Sequence, residues 1–427
     1  GVEDFFQPGF TNNTSINIQN RLSDNTTVSA TYSFLSDEGF TPQLDELRDN
    51  GRSNFLDRHN FGLGAQTTLG NGIRVKGTFN YVYSNRRTPI TGPAFGGDGE
   101  GLFAALLFTP RAIDLMGLPY QNPITGANVY YRRGSEIQNP RWVLNNAGDN
   151  EQVQRFFGTL ETSYDFTPWL TGLYRLGIDQ YSQKQVRTVN KGGAQQPDGF
   201  MESSDRLNRI TDQVFNLLYD FRLSEDFTLD GVVGTNLRRE VRNYQAVESS
   251  QQFLYNLFTH DNFINHQGFS SDREENTIGV YATTTLGFRN FLYLNLQARN
   301  DWTSTLEEAN RSILYPSASL SFIPTDAFPG LTSGNMLNFL KLRVGYGTSA
   351  GYPDPYQTRN FLGTQTRSFV TGGGRVLNTN FVDNRLGNAD LAPELHQELE
   401  FGLEARFLYN RIGVDLSLYN KDSRDLI

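Results

Sequence analysis

Over stretch after stretch of this chain, every second residue is apolar. Between residues 292 and 301, Leu292, Leu294, Leu296 and Ala298 alternate with Tyr293, Asn295, Gln297, Arg299 and Asp301. Ala318, Leu320 and Phe322 alternate with Ser317, Ser319 and Ser321. Leu340, Leu342, Val344 and Tyr346 alternate with Lys341, Arg343, Gly345 and Gly347. Leu399, Phe401, Leu403 and Ala405 do so with Glu398, Glu400, Gly402, Glu404 and Arg406, and Ile73, Val75, Phe79 and Tyr81 with Arg74, Lys76, Thr78 and Asn80. A helix would scatter such residues around its axis, whereas an extended strand sorts them onto two faces. The pattern predicts an all-β chain of about fourteen strands. They start near Ser15, Thr27, Asn60, Ile73, Arg155, Leu170, Asp212, Phe227, Asn276, Phe291, Ser312, Phe339, Glu398 and Arg411. Each is expected to run about 9–11 residues or more, enough to cross a bilayer at a tilt.

The links between these strands narrow the class. Short links at 21–25, 70–72, 167–169, 224–226, 289–290 and 408–410 alternate with long ones at 36–58, 85–154, 191–206, 249–271 and 349–395. A soluble β-sandwich has no reason to keep its long loops on every second connection. A transmembrane antiparallel β-barrel does, with short periplasmic turns and long extracellular loops. Two links depart from the rule: 305–310 is brief on the long side and 324–338 is extended on the short side.

Composition agrees with this class. Aromatic residues make up 13% of the chain and there are 41 glycines, which suits interfacial girdles and relief of sheet curvature. No run of about 20 apolar residues offers a transmembrane helix, which says nothing against strands that cross. Cysteine is absent, so disulfides and thiolate metal sites are excluded. The net charge of -9 argues against a nucleic-acid partner. Lys341, Arg343, Glu398, Glu400, Glu404 and Arg406 fall mid-strand on the polar face. Facing lipid, an Arg or Lys there costs about 2–4 kcal/mol at the midplane, so these six are expected to face a lumen or something that fills it. Phe156, Phe166, Trp169, Phe227, Phe288, Phe291, Trp302 and Phe407 are placed near strand ends, at headgroup level.

Little in the chain suggests catalysis. His59, His260, His266 and His396 are scattered without metal-ligand spacing, and no nucleophile elbow, P-loop or dinucleotide fingerprint occurs in a strand–helix context. No cofactor and no enzymatic activity are expected. The Gly-rich stretches 96–101 and 372–374 fall in long loops, where Gly permits tight turns. Asp98 and Glu100 are the one acidic pair that could ligate Ca²⁺ with loop carbonyls. The long loops also carry rings: Tyr130, Tyr131 and Trp142 in one, Phe253, Tyr255 and Phe258 in another, Tyr352 and Tyr356 in a third. Such rings can stack on a sugar or a peptide, close a loop's own small core, or meet a partner protein; Tyr130, Tyr131, Trp142, Tyr255, Tyr352 and Tyr356 are the candidate substrate or lid contacts.

Several segments together resemble a known family. They are Arg-Asn-Asp-Trp-Thr-Ser-Thr-Leu at 299–306, Asn-Arg-Ser at 310–312, and Tyr-Pro-Ser-Ala-Ser-Leu-Ser-Phe at 315–322. Phe-Leu-Lys-Leu-Arg-Val-Gly-Tyr-Gly follows at 339–347, Gly-Asn-Ala-Asp-Leu-Ala-Pro-Glu at 387–394, and Asn-Arg-Ile-Gly-Val-Asp-Leu-Ser-Leu-Tyr-Asn-Lys at 410–421. This run is similar to the SusC/RagA-like TonB-dependent outer-membrane transporters of Bacteroidetes. Asp-Phe-Phe-Gln at 4–7 with Asn-Asn-Thr-Ser at 12–15 looks like the segment just after that family's plug.

The resemblance implies that residues 1–427 are one partial outer-membrane barrel domain, with about 14 of an expected 22 strands. Plug, TonB-contacting segment and exported N-terminal region would lie outside this stretch. An arc with two unpaired edges is not expected to be a stable monomer alone. The implied function is TonB-dependent active import of a large nutrient, a glycan or a peptide, across the bacterial outer membrane. The implied partners are outer-membrane lipid, a SusD-like surface lipoprotein over the long loops, and TonB through the plug. A passive porin-like channel and a soluble β-rich binding module are the alternative readings.

Overall fold

The computed structural model describes residues 3–43, 51–90, 101–129, 138–194, 196–332, 334, 336–370, 376–382 and 384–426; of 3, 365–370, 376 and 377 only the backbone is described. Fourteen strands form one antiparallel sheet: β1 (Phe10–Ser23), β2 (Thr26–Glu38), β3 (Phe55–Thr68), β4 (Arg74–Thr88), β5 (Ala147–Thr167), β6 (Leu170–Val189), β7 (Phe200–Arg222), β8 (Phe227–Gln252), β9 (Phe263–Phe288), β10 (Leu292–Thr303), β11 (Ser312–Phe322), β12 (Leu337–Gly351), β15 (Glu394–Phe407) and β16 (Ile412–Arg424). A separate hairpin, β13 (Leu362–Val370) with β14 (Val376–Val382), sits in the connection between β12 and β15. Each strand of the large sheet pairs with the one before it, so the order is a pure meander, and it stays open between β1 and β16.

Register explains the two faces. One cross-strand row reads Phe221, Leu229, Leu286, Leu294, Leu320, Val344, Phe401 and Leu418 through eight strands. The row one residue along reads Asp220, Asp230, Thr285, Asn295, Ser319, Gly345, Glu400 and Tyr419. Because the side-chain period is two, a one-residue slip would swap these rows wholesale, and that fixes the register.

The apolar face has a limited height. On β8 it runs Leu229, Gly231, Val233, Thr235, Leu237 and then meets Arg239; on β9 it runs Leu286, Thr284, Ala282, Val280, Ile278 and then meets Asn276 and Glu274. Nine residues of tilted strand match the apolar band of about 25 Å on outer-membrane barrels. The other limit is marked by rings around the short turns: Tyr164 with Phe166, Trp169 with Phe221, and the chain Phe227, Phe288, Phe291 and Phe322, at centroid distances of 4.7–6.2 Å.

Beyond the band the strands continue. β8 and β9 are 26 residues each, against the roughly ten that a crossing needs. Here the structure corrects the sequence reading. β5, β7 and β9 begin at Ala147, Phe200 and Phe263, well before Arg155, Asp212 and Asn276. Phe156 therefore lies mid-strand rather than near an end. These extensions face water on both sides, so their sequence carries no alternation.

The sheet encloses no core of its own. Its buried apolar cluster lies instead in the β4–β5 connection, where α1 (Leu102–Leu107) and α2 (Pro140–Asn146) gather Leu102, Leu106, Leu115, Trp142, Val143 and Leu144. Asn139 caps α2 by accepting from the Arg141 backbone N–H at 3.0 Å, and Pro140 takes the first turn, where its missing donor costs nothing. The long link after β11 folds as well. α3 (Pro324–Ala327) turns back on β12, and Thr325 accepts from the Leu340 backbone N–H at 3.2 Å.

Candidate functional site: the polar wall and the recess above it

The six charges all lie on the polar face, although Arg406 is the penultimate residue of β15 rather than mid-strand, and register brings them together. Lys341 stands opposite Glu404, and Glu398 opposite Lys421. Arg406 donates to Glu404 at 2.9 Å and lies over the Phe339 ring at 5.3 Å. Arg343 donates to Ser417 at 2.6 Å and Asp415 at 3.2 Å, with Glu400 at 3.4 Å. Charges of both signs thus meet one another along the wall.

The strand motif at 299–302 acquires a reason. Asp301, only 4% exposed, accepts from Arg299 at 2.7 Å and from the hydroxyls of Tyr315 and Tyr352, the latter at 3.2 Å. The Arg299 guanidinium rests on the Tyr281 ring and fills the space over Gly279, where a Cβ would fall 2.2 Å from its Nη2. Burial, reinforced by the Asp301 carboxylate, pushes the Tyr352 phenol well above its ordinary range. Tyr352 is therefore tied to the wall by its polar end.

The other loop rings divide. Tyr130 and Tyr131, like Asp98 and Glu100, lie outside the described residues. Trp142 is wholly buried, and its indole N–H donates to the Gly126 carbonyl at 2.8 Å. Its place is the loop's own core. The Tyr255 ring lies on Gly126, where a Cβ would come within 2.2 Å of it, and its hydroxyl donates to Asn146. Asn190 extends this link by donating to Asn146 at 3.0 Å and accepting from the Asn256 backbone at 2.9 Å. Tyr255 thereby joins the β8–β9 loop to the β4–β5 loop. Tyr356 is 55% exposed, holds a left-handed backbone at φ 70°, and stands edge-on to Phe361.

Two features escaped the sequence. Ser249, near the end of β8, sits between the Nδ1 atoms of His260 in the β8–β9 connection at 2.8 Å and His266 of β9 at 2.9 Å, and His260 Nε2 meets Ser203 of β7 at 2.7 Å. Above the apolar band, on the polar side of β6–β9, a recess of about 530 Å³ is lined by Tyr181, Arg206, Asn208, Arg242, Tyr244 and Arg273. A second recess of about 480 Å³ shares Arg273 and includes Asp354, Tyr356 and Arg385. The members come from strand extensions far apart in the chain, so no local spacing announces them.

Residues 101–427 match the family model described as TonB dependent receptor-like, beta-barrel. TonB-dependent receptor P26 of Formosa agariphila is 22% identical over 439 residues, an alignment covering 95% of this chain and 39% of that protein. Among solved structures, the RagAB peptide transporter superposes with a TM-score of 0.79 at 17% identity, over 99% of this chain and 45% of that one. The ferric-catecholate import receptor Fiu of E. coli K12, in its closed form, superposes at 0.55 with 15% identity, over 98% of this chain and 57% of that one. The chain spans less than half the length of both P26 and the RagAB chain.

Proposed function

The chain belongs to the TonB dependent receptor-like β-barrel family and is an integral protein of the bacterial outer membrane, and on that premise we propose that it walls an energised importer of a large nutrient, a glycan or a peptide. Its named relatives are receptors and transporters rather than enzymes. The observation that carries the reading is the two-faced sheet: an apolar band of bilayer height on one side, and on the other a continuous polar wall of paired charges. A lumen as wide as 22 strands enclose would leak if left open. Lys341, Arg343, Glu398, Glu400, Glu404 and Arg406 then serve as polar partners for a plug seated against them. TonB would act on that plug, and a SusD-like lipoprotein would cover the long loops.

Growth on the cognate nutrient with and without the proton-driven TonB motor tests the proposal. Uptake should vanish in the motor-deficient strain. Unchanged uptake would establish the passive channel instead.

A further inference from the structure

We propose that the link between β11 and β12 is a membrane anchor, whose apolar side chains lie in the phospholipid headgroup layer of the inner leaflet. It is the long connection on the side where the others are short, and neither the polar wall nor the loops accounts for its length. The proposal needs only that the sheet crosses the outer membrane, and it holds whatever moves through the lumen.

Hydrogen bonds fix the level at which the link runs. At its start the Ile323 backbone N–H donates to the Phe291 carbonyl at 2.8 Å. At its end the Met336 carbonyl accepts from the Leu408 backbone N–H at 3.0 Å, and the Asn338 side-chain oxygen accepts from the Asn410 backbone N–H at 3.2 Å. Phe291, with Phe322 edge-on to it, belongs to the rings that bound the apolar band. The link is thus tied at both ends to neighbouring short turns, at girdle height. Between the ties it is compacted by α3 and by a 3-10 turn at Pro329–Thr332, with Pro324 and Thr325 buried.

What it exposes is apolar. Phe328, Leu331 and Met336 are 61%, 46% and 69% exposed, and Leu408 and Tyr409 of the adjoining turn are exposed as well. Asp326 is the one charged residue between 323 and 338. Other turns on this side carry Asp24 and Asn25, Asn71, Glu225 and Asp226, or Arg289 and Asn290. A link bathed in water has no reason to differ from them. On the lumen side its neighbours are Lys341 and Arg406, the latter lying over the Phe339 ring. On the outward side they are Phe322, Leu340 and Phe407. Continuity with the girdle therefore assigns the three side chains to lipid. The headgroup layer also suits the backbone. Irregular chain leaves peptide groups that hydrocarbon cannot satisfy, whereas water still reaches them at the interface.

The test uses the full-length protein, free of cysteine, in phospholipid bilayers. A nitroxide is attached through Phe328→Cys, Leu331→Cys or Met336→Cys. Its collisions with oxygen and with a water-soluble nickel chelate are read by power saturation. Leu296→Cys, outward in the apolar band, is the lipid reference, and Asn71→Cys, in a short turn, is the water reference. Each link label should favour oxygen over nickel several-fold more than the Asn71 label does, and less than the Leu296 label. A ratio equal to that at Asn71 would leave the link in water, and a label shielded from both reagents would place it against covering protein. Either result overturns the anchor. A second measurement needs no substitution. A phospholipid with a photoreactive group beside its headgroup should crosslink to the peptide that carries 323–336. Crosslinks at the peptides of Phe227 and Phe288 but none at this one would also overturn it.

Discussion

At Gly402 the missing side chain decides where a charge can lie. A Cβ there would fall 2.1 Å from Arg343 Nε, so the guanidinium lies flat across β15 and reaches Ser417 on β16. Facing is thus built residue by residue, and it can be tested that way. Replacing outward Leu294 or Leu403 by Arg should impair assembly, at about 2–4 kcal/mol near the midplane, while Gln297→Arg or Ser319→Arg should not. Equal yields of heat-modifiable, folded protein from both pairs would refute the facing. Trp142 makes a different claim. Fully buried in the β4–β5 connection, it should cost about 3–5 kcal/mol as Trp142→Ala, read as early proteolysis of that loop while the barrel stays intact.

Elements explain what could and could not be read in advance. All fourteen strands of the large sheet were legible where lipid touches one face, because only there does burial impose a period of two. Residues 263–275, reading Phe-Ile-Asn-His-Gln-Gly-Phe-Ser-Ser-Asp-Arg-Glu-Glu, are strand without alternation, since water reaches both sides. The β13–β14 hairpin was missed for the same reason. The six wall charges could be found because they interrupt an apolar rhythm. The recess arginines could not, because no regular apolar alternation runs past them to be interrupted.

Sidedness belongs to this scale. A protease site in the 89–146 connection should be cut on intact cells, and one at 70–72 only after the outer membrane is opened; the reverse pattern would invert the topology. The β8–β9 connection should also respond to acid. Burial, and then the neighbouring His266, hold the His260 imidazole below its ordinary value of 6.5, so the folded loop keeps it neutral. Above 6.5 neither folded nor unfolded loop is charged there, and the loop has its full stability. As pH falls through 6.5 the unfolded loop protonates first, and stability declines until the lower folded value is passed. The protection factor for hydrogen exchange across 253–266, taken against the intrinsic rate at each pH, should therefore fall from about pH 8 to about pH 5, and His260→Gln should flatten the change. Protection that ignores pH in the unaltered protein would rule this out.

For the whole molecule, the open sheet leaves one edge of β1 and one edge of β16 as rows of unpaired backbone donors and acceptors. In hydrocarbon such rows are intolerable, so closure needs further strands. The meander also sets how that closure is approached. Every strand of the large sheet finds its partner in the strand just before it, and only β15 must reach across an intervening hairpin to do so. Joining a new strand costs the entropy of closing one connection, and doubling a connection adds only about 0.6 kcal/mol. The fifty-odd residues between β4 and β5 are thus a small burden on the order of events. A wall wired this way can grow at its edge one hairpin at a time, each finished strand templating the next, so that the chain's own sequence is its assembly schedule.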